Sequence, residues 1–220
     1  GEGRAEGGSF GTSTAGLVFG GGEPGATAIT ESWDGSSWTE TTNLNTARNE
    51  QAGLGRQSAG LSVGGAPSTA IVESWNGSTW TEISDLNTGR GNLGAAGTTT
   101  DGLAFGGWTP AKSEAESFDG TSWTEVGDLN TARGYGAASG ASSYGCLYAG
   151  GYTGSSSSAT EVWNGSAWTE VGDMSSGQYS GKGAPTGSSV AAIMTGGSDS
   201  PNTATEQFEA PATISTVTTS

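Results

Sequence analysis

The sequence contains no histidine, one cysteine and seven basic residues among its 220. The absence of histidine excludes Ser-His and Cys-His nucleophile pairs and histidine metal sites. The single Cys146 excludes a disulfide within the chain, and its apolar neighbours predict a buried, unreactive thiol. No dense aspartate cluster indicates calcium either, so neither a metal nor a cofactor is expected.

Positive charge is scarce and scattered. Seven Lys and Arg face 22 Asp and Glu, which gives a formal charge of −15. Nucleic acid and anionic membranes are therefore poor partners, because binding to them rests on a clustered basic surface. No apolar segment is long enough to span a bilayer, so membrane insertion is not expected. Long aliphatic runs are also lacking, and the 8 Trp are the residues best able to supply a core.

A ten-residue motif recurs along the chain with a period in the low forties of residues, starting at Glu31, Glu73, Glu116 and Glu161. Such a period is typical of propellers and similar repeat arrays. Because the repeat covers nearly the whole sequence, we expect one domain over residues 1–220. Five units are predicted, at approximately residues 4–43, 48–85, 90–128, 133–173 and 178–218.

Each unit has the pattern of four short β-strands. A segment of small residues is followed by an apolar run that ends in a Gly pair, then by a β-branched and aromatic segment, then by a second aromatic segment. This order predicts an antiparallel meander. Small residues suit the strands nearest the axis of a ring, where backbones approach closely. We therefore predict an all-β propeller of five four-stranded blades, in which residues 214–217 can still form the outer strand of a degenerate fifth unit.

The third and fourth strands are joined by Asp-Gly or Asn-Gly, which favours a two-residue type I′ hairpin. In that geometry the two aromatics of a hairpin, such as Trp33 and Trp38, are diagonal neighbours on one face. A four-residue loop also keeps them on one face. Trp38, Trp80 and Trp123 are accordingly expected in the core.

The Gly pair, the aromatic before a tight turn and the Trp of the fourth strand recur in order and resemble the kelch repeat. The resemblance covers nearly the whole chain and implies a β-propeller, with units shorter than typical kelch units. The amino-acid sequence of the repeat, with its Asp-Leu-Asn-Thr-Ala-Arg linkers, is similar to kelch-like repeats of phage and marine bacterial tail or surface proteins. That similarity implies an extracellular or virion location, membership of a larger assembly, and a protein or glycan partner.

One glutamate recurs in every unit, and a second recurs in the first four. Paired carboxylates can carry out acid/base chemistry, as in hydrolases or lyases. An active site is usually built once, however, so repetition favours a structural role. We expect the first Glu of a unit to pair with Arg48, Arg90 or Arg133, or to accept backbone hydrogen bonds.

The units differ most between the Gly pair and this first Glu, in loops that should emerge on the same side as the linkers between blades. Variable loops on a repeat scaffold are common binding sites. We predict ligand-binding residues there: Trp108, Lys112, Tyr152 and Asp199. Trp108 and Tyr152 occupy equivalent positions in adjacent units and suit stacking on a sugar or anchoring a protein. Alternatively, each folds back over its own blade.

The predicted function is non-enzymatic binding, with a purely structural assembly subunit as the alternative and a carboxylate hydrolase or lyase as the least favoured. Asn76 and Asn164 also match the glycosylation sequon, but Asp34 and Asp119 fill the same position in sister units. The hairpin turn therefore explains these residues without an attached sugar.

Overall fold

The structure is a computed structural model that describes residues 3–22, 25–180, 182–183, 191–195, 197 and 205–209. Regular structure in these residues is entirely β. None of them belongs to a helix that could cross a membrane.

Four antiparallel four-stranded sheets follow one another along the chain, and each is a meander of consecutive strands. Blade 1 contains β1 (Gly8–Thr12), β2 (Ala15–Phe19), β3 (Thr30–Trp33) and β4 (Trp38–Glu40). Blade 2 contains β5 (Ala52–Arg56), β6 (Ala59–Val63), β7 (Val72–Trp75) and β8 (Trp80–Glu82). Blade 3 contains β9 (Gly94–Thr98), β10 (Asp101–Phe105), β11 (Ala115–Phe118) and β12 (Trp123–Val126). Blade 4 contains β13 (Ala137–Ser139), β14 (Cys146–Ala149), β15 (Thr160–Trp163) and β16 (Trp168–Glu170). The chain is thus an all-β propeller of four-stranded blades.

The prediction of five four-stranded blades is wrong for the described residues, which form four. The fifth unit contributes a three-stranded sheet of β17 (Lys182–Gly183), β18 (Ala191–Thr195) and β19 (Thr205–Glu209). Its sequence lacks the Asp-Gly or Asn-Gly turn and the second Trp that fix the outer hairpin elsewhere. The predicted outer strand at residues 214–217 lies outside the described residues.

The innermost strands β1, β5, β9, β13 and β17 are neighbours in chain order. They approach one another so closely that side chains are excluded at some positions. A Cβ at Gly53 would lie 2.4 Å from the carbonyl oxygen of Ser9, and one at Gly183 would lie 2.3 Å from that of Ala138. Close backbone approach therefore explains the small residues of the first strand in each unit, as predicted.

The outer hairpins have four-residue loops, so the prediction of two-residue type I′ turns is wrong. Trp33 lies directly opposite Trp38, and the amide of Asp34 donates to the carbonyl oxygen of Ser37 at 3.3 Å. The Asp34 carboxylate accepts hydrogen bonds from the amides of Ser36 and Ser37, each at 2.8 Å. These side-chain bonds stabilise the longer loop. The two Trp remain on one face, with ring centroids 5.3 Å apart.

The second Trp of a hairpin packs against the preceding blade. Trp80 of blade 2 lies 6.2 Å from Phe10 and 5.0 Å from Phe19 of blade 1, measured between ring centroids. Trp168 of blade 4 lies 4.8 Å from Phe105 of blade 3. Large aromatic surfaces thus join neighbouring blades. Buried aliphatic side chains complete the core, among them Leu54, Leu61 and Val63 in the cluster that contains Trp123.

Trp38 holds the same position in blade 1 but is 48% exposed, against 5% for Trp80 and 6% for Trp123. The expectation that Trp38 is a core residue is therefore wrong. Its indole contacts Trp33 of its own hairpin, and the described residues leave nearly half of its surface uncovered.

A buried ion pair joins the start of the inner strand to the third strand of the same blade. The pairs are Arg48–Glu73 at 2.5 Å, Arg90–Glu116 and Arg133–Glu161. A less buried Arg4–Glu31 pair, at 2.9 Å, occupies the same place in blade 1. The predicted structural role of this repeated Glu is confirmed in these four blades. The side chain of Glu206 lies outside the described residues.

In blades 2 to 4, an asparagine of the linker that precedes the blade also bonds to the glutamate of the ion pair. Asn45 donates to the Glu73 carboxylate from its backbone amide at 2.7 Å and from its side-chain amide at 2.8 Å. Asn87 and Asn130 make the equivalent bonds to Glu116 and Glu161. Each of these buried carboxylates is therefore paired and hydrogen-bonded, which is the condition for tolerating its charge in a protein interior. On the cation side, the buried Nε of Arg48 has no hydrogen-bond partner among the described residues.

Replacing a buried tryptophan should cost far more stability than replacing the exposed one. Trp80→Ala should lower the free energy of unfolding by about 3–5 kcal/mol, because it leaves a cavity between two blades. Trp38→Ala is the matched control and should cost about 1 kcal/mol or less. Chemical denaturation of both variants measures the difference, and equal losses would contradict the packing described above.

The Glu161 carboxylate predicts a loss of stability in acid. Burial alone would raise the pKa of Glu161, but hydrogen bonds from Arg133 and Asn130 outweigh burial and lower that pKa below its ordinary value. A lowered folded-state pKa adds stability above the unfolded pKa of about 4.3, and this stability is lost as the pH falls through the folded pKa. The free energy of unfolding should therefore decrease as the pH is lowered below about 4.

This acid dependence should be less steep in Glu161→Gln, because the substituted side chain does not titrate. Glu170→Gln is the control, since Glu170 lies directly opposite Glu161 in the hairpin but is exposed. Denaturant unfolding of the three proteins across the acid range compares their slopes. Identical slopes for wild type and Glu161→Gln would contradict the role given to this ion pair.

Candidate functional site

Trp108 and Tyr152 lie together on the linker side of the propeller. Each follows the Gly pair of its unit, and its amide donates to the start of the inner strand: Trp108 to Gly91 at 2.9 Å, and Tyr152 to Gly134 at 2.8 Å. The two rings are 4.9 Å apart in an edge-to-face arrangement, and both side chains are half-buried. They therefore touch each other across a blade boundary instead of each being buried beneath its own blade.

Two further tyrosines extend this contact into an aromatic patch, defined as Trp108, Tyr135, Tyr152 and Tyr179. Tyr135 lies 6.0 Å from Trp108, and Tyr179 lies 5.0 Å from Tyr152, between ring centroids. Tyr135 and Tyr179 are themselves 6.2 Å apart. All four are half-buried, so the patch combines fixed geometry with accessible ring surface.

Tyr135 and Tyr179 are not predicted from the sequence as site residues, because both stand at the start of inner strands that are otherwise rich in small residues. For Tyr135, the signal was available in the repeat. Glu6, Glu50 and Asn92 occupy the position of Tyr135 in the other blades, so bulk at the inner strand varies from unit to unit. Side chains that differ at one repeated position are candidates for function in the same way as variable loops.

The other two predicted residues are not joined to the patch. Lys112 is half-buried in the loop that carries Trp108, with backbone bonds to Gly107 and Arg133 at 3.0 Å each. The described contacts do not place its side chain against the patch. Asp199 lies outside the described residues.

Five residues near the axis share one backbone conformation, and we call them the mouth ring. They have positive φ angles between 51° and 61° and occupy the same position in successive units: Glu6, Glu50, Asn92, Tyr135 and Ser180. Backbone hydrogen bonds link each to the next, from the amide of the later residue to the carbonyl of the earlier one, at 2.8–2.9 Å. Left-handed backbone costs about 1–2 kcal/mol for a residue other than Gly, and such strain often accompanies function.

The mouth ring lines a cavity of about 330 Å³ on the propeller axis. Below it, a narrower space of about 120 Å³ is lined by inner-strand residues of all five units. Gln51 and Asn92 line the larger cavity, and each has a buried polar atom without a hydrogen-bond partner, Oε1 and Nδ2 respectively. Tyr135 belongs to both the mouth ring and the aromatic patch, so the cavity and the patch form one continuous site.

The electrostatic character of this site is negative. Burial raises the pKa of Tyr135, and the charges of Glu50 and Glu6 raise it further, with a smaller contribution from Tyr179. The described residues that line the cavity include no Lys or Arg. Glu6 is held in place by the Asn49 side-chain amide, which donates to its carboxylate at 2.8 Å. The site is therefore suited to neutral or cationic groups and unfavourable for anions.

The paired glutamates offer little to an acid/base mechanism. Glu73 lies opposite Glu82 in its hairpin, and the other blades repeat the pairing. Glu73 is fully buried and bonded to Arg48 and Asn45, whereas Glu82 is exposed. Within the described residues, no three acidic or cysteine side chains are grouped closely enough to hold a metal ion.

A scan of protein-family models finds no match, and a search of curated proteins finds none either. The propeller architecture therefore rests on the structure, and the likeness to kelch repeats rests on the recurring residues alone.

Cys146 is predicted to be unreactive in the folded protein. Burial, assisted by the charge of Asp101, raises the pKa of its thiol to about 12, and the side chain is fully buried. A thiol reagent such as Ellman's reagent should label Cys146 slowly under native conditions and fully in denaturant. Rapid labelling of the native protein would contradict the packing of blade 4 around this residue.

Proposed function

We propose that this chain is a non-enzymatic, kelch-like binding propeller whose aromatic patch binds carbohydrate. The observation that carries the proposal is the grouping of Trp108, Tyr135, Tyr152 and Tyr179 on one side of the axial cavity. Repeated core positions carry aromatics in every blade, but this patch draws only on the third, fourth and fifth units. A site that departs from the symmetry of its scaffold is better explained by a ligand than by folding.

The chemistry of the patch suits sugar rings. Half-buried aromatic rings present flat apolar surfaces against which the C–H faces of a sugar can pack. Polar groups at the edge of the patch then set orientation through the hydroxyls, and Glu50, Gln51 and Asn92 supply acceptors and a donor within the adjoining cavity. A protein ligand would use the same aromatic anchors.

An extracellular or virion location belongs to the same proposal. This location is supported by the similarity of the repeat sequence to kelch-like repeats of phage and marine bacterial tail or surface proteins. Surface glycans are accessible ligands in such a setting. Fractionation of the native source, followed by detection of this chain on the cell surface or in virions, tests the location.

A structural assembly subunit is the second candidate, and one observation favours it. Trp38 is 48% exposed although its counterparts are buried between blades. Exposed large aromatics often mark contact surfaces. If this were the main role, the protein would self-associate without any glycan, and Trp38→Ala would abolish the association while Trp108→Ala would not.

Glycan-array screening followed by calorimetry tests carbohydrate binding. Wild type should show saturable binding to a subset of glycans, and Trp108→Ala should weaken it by about thirtyfold or more, because a hot-spot aromatic contributes at least about 2 kcal/mol. Trp38→Ala is a matched control of the same residue type outside the patch, and it should bind like wild type. Binding by no glycan, or equal binding by Trp108→Ala, would refute the proposal.

A further inference from the structure

The mouth ring retains side chains where glycine would be less strained. The chain contains 41 Gly, yet all five of these left-handed positions carry other residues. The backbone requirement is the same in every unit, as the chain of hydrogen bonds between successive members shows. The choice of side chain is therefore not dictated by the fold and reflects what faces the cavity.

The side chains divide the cavity into two chemically different sectors. The first and second units supply the carboxylates of Glu6 and Glu50, and the fourth supplies Tyr135 at the edge of the aromatic patch. The charges of both glutamates act on the Tyr135 hydroxyl. Among the described residues, neither glutamate is paired with Lys or Arg. Two carboxylates thus lie beside an aromatic surface without a protein cation between them.

A buried amide provides an independent sign of a ligand. Gln51 lines the cavity and is only 6% exposed. Its Nε2 donates to the carbonyl oxygen of Phe19 at 2.9 Å, which fixes the orientation of the amide. Its Oε1 is buried and has no hydrogen-bond partner. Because leaving a buried acceptor unpaired is costly, a donor in the cavity is expected.

We infer that this cavity takes the ammonium group of an amino sugar while the sugar ring packs on the aromatic patch. The inference rests on the carbohydrate binding proposed above and specifies the class of sugar. An ammonium group has three donors, which can serve Gln51 Oε1 and the carboxylates together, and its charge is attracted by the face of a tyrosine ring. At about 330 Å³ the cavity is at the small end of ligand pockets, so it suits one sugar residue better than a folded segment.

Three matched probes test the charge preference. Calorimetry in mildly acidic buffer, where the amines of a β-1,4-linked glucosamine trimer are protonated, should compare this cationic trimer with the N-acetylglucosamine trimer and the glucose trimer, which are neutral. The glucosamine trimer should bind about tenfold or more tightly than either neutral probe. Raising the salt concentration should reduce this advantage, since salt screens exposed charges. The measurements are made with EDTA and repeated with added calcium, and a glucosamine affinity that appears only with calcium would overturn the inference by assigning the carboxylates to a metal.

Variants that replace a cavity glutamate by glutamine test whether these carboxylates cause the preference for the cationic trimer. Glu50→Gln and Glu6→Gln should each reduce the advantage of the glucosamine trimer over the neutral trimers to about threefold or less. Glu82→Gln is the control, because it makes the same change in net charge at an exposed position on an outer strand. Thermal unfolding confirms that each variant is folded. An undiminished preference in both cavity variants would overturn the inference.

The remaining outcomes distinguish failure of the ammonium site from failure of the proposed carbohydrate binding. Equal affinity for the three trimers would overturn the ammonium site and leave carbohydrate binding intact. Binding of none of these probes, together with no response on the glycan array, would overturn both. A lysine tripeptide that binds as tightly as the glucosamine trimer would assign the ammonium to a peptide and overturn the amino-sugar assignment.

Discussion

The buried Arg–Glu pair is the interaction on which the rest of the structure depends. In blades 2 to 4 it ties the start of the inner strand to the third strand, and a linker asparagine is bonded to the same carboxylate. One node thus fixes three segments: the linker, the inner strand and the outer hairpin. A buried pair need not add net stability over apolar packing, but losing one partner leaves an unpaired buried charge. The node therefore holds each blade in one arrangement.

The position of the node determines where function can develop. Arg48, Arg90 and Arg133 each stand two residues before a member of the mouth ring. Their backbone groups bond to the Gly pair and the second-to-third loop of the preceding blade. The same anchor therefore carries the mouth ring on one side and the loop residues Trp108 and Tyr152 on the other. A substitution in the mouth ring or at these loop positions leaves the residues of the Arg–Glu node unchanged. An aromatic sector and an acidic sector can consequently develop on a scaffold whose backbone is nearly the same in every unit.

Much of the fold could be predicted from the sequence because each structural feature is marked by the same residue types in several units. Small residues marked the inner strands, and repeated Glu and Arg marked the ion pairs. The hairpin loop was predicted wrongly because Asp-Gly fits both two-residue and four-residue turns, and the Asp34 carboxylate decides between them by capping the amides of Ser36 and Ser37. Trp38 was misjudged for a different reason. Burial of that Trp depends on the preceding blade, which the sequence of its own unit does not reveal.

The candidate site was only partly predictable. Trp108 and Tyr152 stood out because they break the repeat, whereas the approach of Tyr135 and Tyr179 to them follows from how successive blades are arranged around the axis. The most direct test of the whole account is a crystal structure of the chain with a glucosamine trimer. We expect one sugar ring against Trp108 and Tyr152, with its amino group between Glu50 and Tyr135. A sugar bound at the opposite end of the propeller, for instance in the cavity beside Tyr144 and Trp163, would contradict the account.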